Sequence, residues 1–141
     1  VEDRICMASN TTLKLSVQEI IDCDDNQFEC NGGYVNKVLQ WGKKKGFIQE
    51  ECMEYDGKKN ECDVDHLESN YCRAEQSTYK VSDYCITFQG ENIKREIFKN
   101  GPVVGQMQPF TDFLAYSEGS YHKTSEAFKF NGQHIVKIVG W

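Results

Sequence analysis

Seven cysteines, at positions 6, 23, 30, 52, 62, 72 and 85, constrain this 141-residue chain more than any other feature. None stands in a C-x-x-C pair or at zinc-finger spacing, which reads against a structural metal site. Disulfides formed in an oxidising compartment fit the pattern. An odd count means that at least one cysteine stays free or pairs outside these residues. The staples matter most between residues 49 and 78. That stretch is polar, shows no sustained hydrophobic period and contains Cys52, Cys62 and Cys72. So long a loop is hard to order without cross-links. Asn10-Thr11-Thr12 is an N-glycosylation acceptor and agrees with the same secretory route.

A chain of this length buries one modest core, or pieces of two. Apolar residues make up 39% and charged residues 27%, a globular balance. The formal net charge of −6 argues against a nucleic-acid partner, which would need a basic face. No apolar run reaches the length of a membrane span. The chain opens on Val1 without a leader-like apolar stretch, so it is expected to be a processed or partial product.

Local patterns place the elements. Residues 1–9 read as the end of a helix. Ser16-Val17-Gln18-Glu19 is a capping box opening a short helix through Ile20 and Ile21 to about Cys23. Gly32-Gly33 leads into a second helix, with Tyr34, Val35, Val38, Leu39 and Trp41 on its apolar side. Lys43 to Lys45 close it where cations suit the dipole, and Gly46 serves as C′. A third helix, Glu91 to Asn100, would bury Ile93, Ile97 and Phe98 before the Gly101-Pro102 stop. Val103 to Met107 reads as a strand. Pro109 to Tyr116 reads as a short helix with Phe110, Phe113 and Leu114 inward. Ser117-Glu118-Gly119 is a turn, and His134 to Gly140 the last strand. Helices therefore dominate residues 1–82 and strands residues 83–141, which suggests two lobes.

His134 is the candidate of greatest chemical interest. It opens the apolar run Ile135, Val136, Ile138 and Val139, and a histidine at a strand mouth can serve as general base near neutral pH. Bland readings stand beside it. His66 and His122 lie in polar stretches, Lys43–Lys45 reads as a solvated helix end, and Gly32-Gly33 on its own could be a turn.

Four segments in order resemble the papain-like cysteine peptidases. They are LSVQEIIDC (15–23), ECNGGYVNKVLQW (29–41), KNGPVVGQM with DFLAYSEGSY (99–107 and 112–121), and GQHIVKIVGW (132–141). Within that family the appearance is nearest the cathepsin X branch, then cathepsin B; DRIC at 3–6, KNGPV and TDFL lean towards the latter. The resemblance implies an α+β, papain-like two-lobed fold, with a helical left lobe and a β-barrel right lobe. It implies that His134 is the catalytic histidine. Gly32 and Gly33 would line the cleft, where an extended substrate bonds to bare backbone. Tyr34 and Ile135 would wall the P2 pocket. It pairs Cys23 with Cys62 and Cys52 with Cys72, gives Cys30 a partner outside the chain, pairs Cys6 upstream on the cathepsin B pattern and leaves Cys85 unplaced.

The family's nucleophile sits in a C-G-S/A-C-W/Y motif roughly 130–150 residues before the histidine. No such motif occurs here. The oxyanion-hole glutamine upstream and the orienting asparagine after the final tryptophan are missing too. Cys6 lies in DRICMAS, without the motif's small and aromatic neighbours, and matches a position downstream of the nucleophile on the same helix. The expectation is a lysosomal or secreted peptidase, incomplete at both ends and inert as 141 residues. It would act on peptide or protein substrates without metal or cofactor, its remaining part or a larger assembly being its partner. The alternative is a non-catalytic, peptidase-like structural subunit.

Overall fold

The structure, a computed structural model, describes residues 1–63, 72 and 78–141. The chain forms two compact units, Val1–Ile86 and Thr87–Trp141. The division falls slightly beyond the 82/83 boundary read from the sequence.

In the first unit, α1 (Glu2–Ser9) ends on Asn10, whose left-handed backbone (φ 55°) closes the helix with an N–H bond to Cys6 O. Helix α2 (Val17–Cys23) is capped by Ser16, whose Oγ accepts from Glu19 N at 3.0 Å. The expected box is only half made. The Glu19 carboxylate accepts instead from Ile48 N at 3.0 Å, while Ser16 N donates to Ile48 O at 2.9 Å. Helix α3 (Val35–Lys44) ends before Gly46 (φ +89°). It packs closely at Gly42, where an added Cβ would stand 2.2 Å from the Phe47 ring. Among the described residues of this unit, Leu15, Phe47 and Ile48, with Cys23 and Cys72, are the buried apolar residues. Isolated bridges Leu15–Gln49 and Phe47–Tyr79 tie the passing backbones.

The most buried face of α2 is polar. Gln18, Glu19 and Asp22 are each at most 4% exposed, while Ile20 and Ile21 are only half-buried. Buried polar groups need partners, and these have them. Gln18 Nε2 donates to Asp22 Oδ1 at 2.9 Å and to Lys58 O at 2.6 Å. Gln18 Oε1 accepts from Asp56 N, and Asp22 Oδ1 from Asn60 N at 2.7 Å. Lys59 Nζ reaches the Ile21 and Asp22 carbonyls at the helix end. Residues 56–60 are thereby folded onto α2 by hydrogen bonds. Disulfides Cys23–Cys62 and Cys52–Cys72 close loops of sequence separation 39 and 20. Each removes unfolded-state entropy worth roughly 3–4 kcal/mol on the chain-entropy view, not additively because the loops overlap.

In the second unit, α4 (Gly90–Asn100) precedes β1 (Val103–Met107), which pairs antiparallel with β2 (His134–Ile138). The register sets Val103 against Ile138 and Met107 against His134. Ile97 is buried, but Phe98, expected inward, is 84% exposed. Both cannot face the sheet, because neighbours on a helix point about 100° apart. The short helix expected after Pro109 is a 3-10 helix, Thr111–Ala115. With three residues per turn it directs Phe113 inward and leaves Leu114 exposed, against expectation.

Burial pushes the Glu19 carboxyl up to about 6, despite the Ile48 N–H that favours its charged form. A carboxyl raised in the fold holds its proton where the unfolded chain has lost it. Its contribution is therefore full below about pH 4.5 and is lost as pH rises through 6. The difference amounts to roughly 2 kcal/mol. Glu19→Gln keeps an acceptor for Ile48 N and does not titrate. Urea unfolding of Glu19→Gln and parent should give stabilities whose difference changes by about that amount between pH 4.5 and 6.5. A pH-independent difference would contradict the assignment.

Candidate active site

The sequence-derived site residues fall in both units. Gly32, Gly33 and Tyr34 belong to the first, His134 and Ile135 to the second, and all five are exposed.

The glycine turn is built by side chains that precede it. Asp24 is buried and accepts from Asn26 N, Asn26 Nδ2 and Gln27 Nε2 at 2.9–3.1 Å. Burial raises its carboxyl, but the Gln27 and Asn26 bonds outweigh that and hold it below the usual range. Gln27, so oriented, accepts from Tyr34 N at 2.7 Å. Phe28 N bonds to Gly32 O at 3.1 Å. Gly32 has φ +104° with open space where a Cβ would be, so its backbone conformation is what demands glycine. Gly33 is glycine for a different reason. A Cβ there would lie 1.9 Å from Gln27 Oε1. The result is bare backbone at the surface, flanked by the Phe28 and Tyr34 rings in edge contact at 5.5 Å. Cys30, exposed beside it, has no disulfide partner within these residues, and neither have Cys6 and Cys85.

In the second unit His134 opens β2 as the partner of Met107. The Phe113 ring lies 6.0 Å from the imidazole, tilted 56°. Phe113 in turn contacts Tyr116 (6.0 Å, stacked) and Tyr121 (5.1 Å, edge). Asp112 accepts from Tyr121 Oη at 2.6 Å and from Thr124 N at 2.8 Å. The Thr124 and Tyr121 bonds lower the Asp112 carboxyl. Desolvation, with the bond to Asp112 and its negative charge, pushes the Tyr121 phenol up to about 12. Sequence reasoning placed Phe113 as core and passed over Asp112 and Tyr121. The DFLAYSEGSY segment held them, but only the turn geometry brings them onto Phe113, the ring beside His134. Ile135 points to the sheet face opposite His134, since strand neighbours alternate. Its side chain is 42% exposed. His122 is exposed and His66 lies outside the described residues. Among the described residues no group of His, Cys, Asp and Glu side chains has metal-site geometry.

One unit is tied by disulfides and carries a bare glycine turn, and the other presents a histidine at a strand mouth. The chain belongs to the papain family of cysteine proteases, whose sequence pattern matches residues 1–141. It is 30% identical to cathepsin B of Dictyostelium discoideum over 99% of this chain and 49% of that protein. It is 29% identical to cathepsin B-like protease 1 of Arabidopsis thaliana, over 100% of this chain and 41% of that one. The fold matches procathepsin B S9 from Trypanosoma congolense with a TM-score of 0.82 at 24% identity, over 99% of this chain and 49% of that one. A Carica candamarcensis cysteine protease superposes with a TM-score of 0.73 at 18% identity, over 94% and 58%. The chain spans about half the length of the curated relatives it matches.

Gly33→Ala should displace the Gln27 side chain and loosen the turn at a cost of about 1–3 kcal/mol. The same change in a Gln27→Ala background should cost at least about 1 kcal/mol less. Equal costs in a denaturant-unfolding double-mutant cycle would show that Gln27 is not what requires glycine.

Proposed function

We propose that the protein to which this chain contributes hydrolyses peptide bonds by thiol chemistry, with His134 as its acid and base. The observation that carries the reading is His134 at the mouth of β2 in a chain matched to the papain family from end to end. None of the seven cysteines stands in the nucleophile's motif, so the thiol is assigned to sequence beyond these 141 residues. The relatives' greater length leaves room for it. The imidazolium first stabilises the thiolate. The thiolate attacks the peptide carbonyl. Collapse of the tetrahedral adduct breaks the C–N bond, and the imidazolium gives its proton to the departing amine. The neutral imidazole then takes a proton from water as water displaces the thiol from the acyl carbon. Gly32 and Gly33 offer backbone to an extended peptide substrate, with the Tyr34 ring beside them on the same unit. No metal or cofactor has a step in this route.

The cathepsin B-like names of the relatives support that branch, towards which residues 3–6 and 99–103 already lean. The likeness of residues 15–23 to cathepsin X has no such support. Two disulfides and the family suit a lysosomal or secreted location. Asn10 belongs to the same picture. It is exposed, its backbone is pinned by the α1 closure, and Thr11 and Thr12 are exposed beside it.

His134→Ala in the full-length protein should lower kcat by roughly 10²- to 10⁴-fold on peptide substrates. It should also abolish labelling by a thiol-directed, substrate-like probe. Failure of the parent to label would favour the non-catalytic structural subunit. Secreted expression should give a species whose mass falls on treatment with a peptide N-glycosidase, and Asn10→Gln should lack that fall. An identical mass before and after treatment would remove Asn10 as an acceptor.

A further inference from the structure

We infer that Phe113 is a positioning residue for the His134 imidazole, clamped in place by Asp112 through Tyr121 and Thr124. The inference rests on the reading of His134 as the acid and base. His134 is the first paired residue of β2 and its side chain is exposed. Strand pairing fixes its backbone against Met107 but does not set its side-chain torsions χ1 and χ2. Among the described residues, the interaction made by the imidazole itself is the ring contact with Phe113, at 6.0 Å and 56°. That tilted geometry lies within the range where aromatic pairs attract, and it disfavours rotamers that swing the imidazole away.

A ring can only orient its neighbour if it is itself held. Phe113 stands in the middle of the Thr111–Ala115 turn, half-buried. Tyr116 stacks on it with an interplanar angle of 6°, and Tyr121 meets it edge-on at 78°. The two tyrosines also touch each other, 5.8 Å apart at 73°, so the three rings brace one another. Tyr121 is fixed at its far end by its hydroxyl on Asp112 Oδ1, and the second carboxylate oxygen takes Thr124 N. The Tyr116 hydroxyl donates to Gly119 O and closes the loop between the two tyrosines. Asp112 is the chain neighbour of Phe113, so the clamp is rooted one residue from the ring it holds. A bond to a charged acceptor is among the stronger hydrogen bonds available at a surface. A short loop is thereby converted into a rigid platform under the imidazole. Small displacements of a proton-transfer group carry large rate penalties, which gives the platform its use.

The test uses the full-length protein. Phe113→Leu should lower kcat on a peptide substrate roughly 10- to 100-fold, with KM changed less than about threefold. Phe113→Tyr, which retains the ring, should restore most of that loss. Tyr121→Phe keeps its ring but releases Asp112 and should show the same kcat-selective loss in smaller degree; it decides the matter if Phe113→Leu does not fold. Independently of turnover, the His134 ring-proton resonances should move in Phe113→Leu, which removes the neighbouring ring current, and hold in Phe113→Tyr. Equal kcat losses in Phe113→Tyr and Phe113→Leu, or unmoved His134 resonances in Phe113→Leu, would overturn the assignment. A parent that labels with no thiol probe and cleaves no peptide sinks the proposed function instead, and the resonance arm still decides whether Phe113 orients the imidazole.

Discussion

The first unit depends on one constraint: α2 turns carboxylates and an amide, not its isoleucines, into the interior. Gln18, Glu19 and Asp22 lie in the least exposed positions of the unit, where every lone pair left without a donor would cost about 1–3 kcal/mol. The donors come from backbone that has little other reason to be there. Ile48 N, Asp56 N and Asn60 N all end on this helix. The polar face therefore acts as a template. It holds irregular chain in a fixed path where a hydrophobic face would have accepted many. The Cys23–Cys62 bond, starting from the last residue of the same helix, locks that path rather than creating it.

The same logic extends to the glycine turn. Asp24 caps the end of α2 and organises Asn26 and Gln27, and Gln27 in turn fixes Tyr34. The exposed backbone at Gly32–Gly33 is thus joined to the polar interior through a short series of hydrogen bonds. In the second unit, aromatic packing takes over the role. Phe113, Tyr116 and Tyr121 form a small platform tied to Asp112, while two five-residue strands carry His134 to the surface. Polar hydrogen bonds and ring contacts serve the same end in the two units. Each fixes a loop whose own residues have too few neighbours to fix it.

Much of this was legible in the chain. The Ser16 cap, the Gly46 and Gly101 stops and the β1 and β2 strands follow from residue chemistry over a few positions, because caps, turns and alternation are local. Misreadings arose where the identity of the inward face depended on a partner. Phe98 looked buried by type and is exposed, because Ile97 already occupies the direction towards the sheet. Leu114 looked inward on a short helix, and the three-residue period of the 3-10 helix leaves it exposed. Glu19 looked like the closing half of a capping box. Ile48 N offered it a buried donor, and a carboxylate inside a protein goes to the donor it would otherwise lack.

The sequence by itself determined the papain-family membership, the helical and strand segments and the place of His134 at the start of a strand, since each is written in residue types at short spacing. Only the tertiary structure decided which face of α2 is inside, why Gly33 must lack a side chain, and what stands next to His134. Those are properties of residues brought together from distant positions. A buried carboxylate, a missing Cβ and a ring beside an imidazole acquire meaning only from the groups they meet.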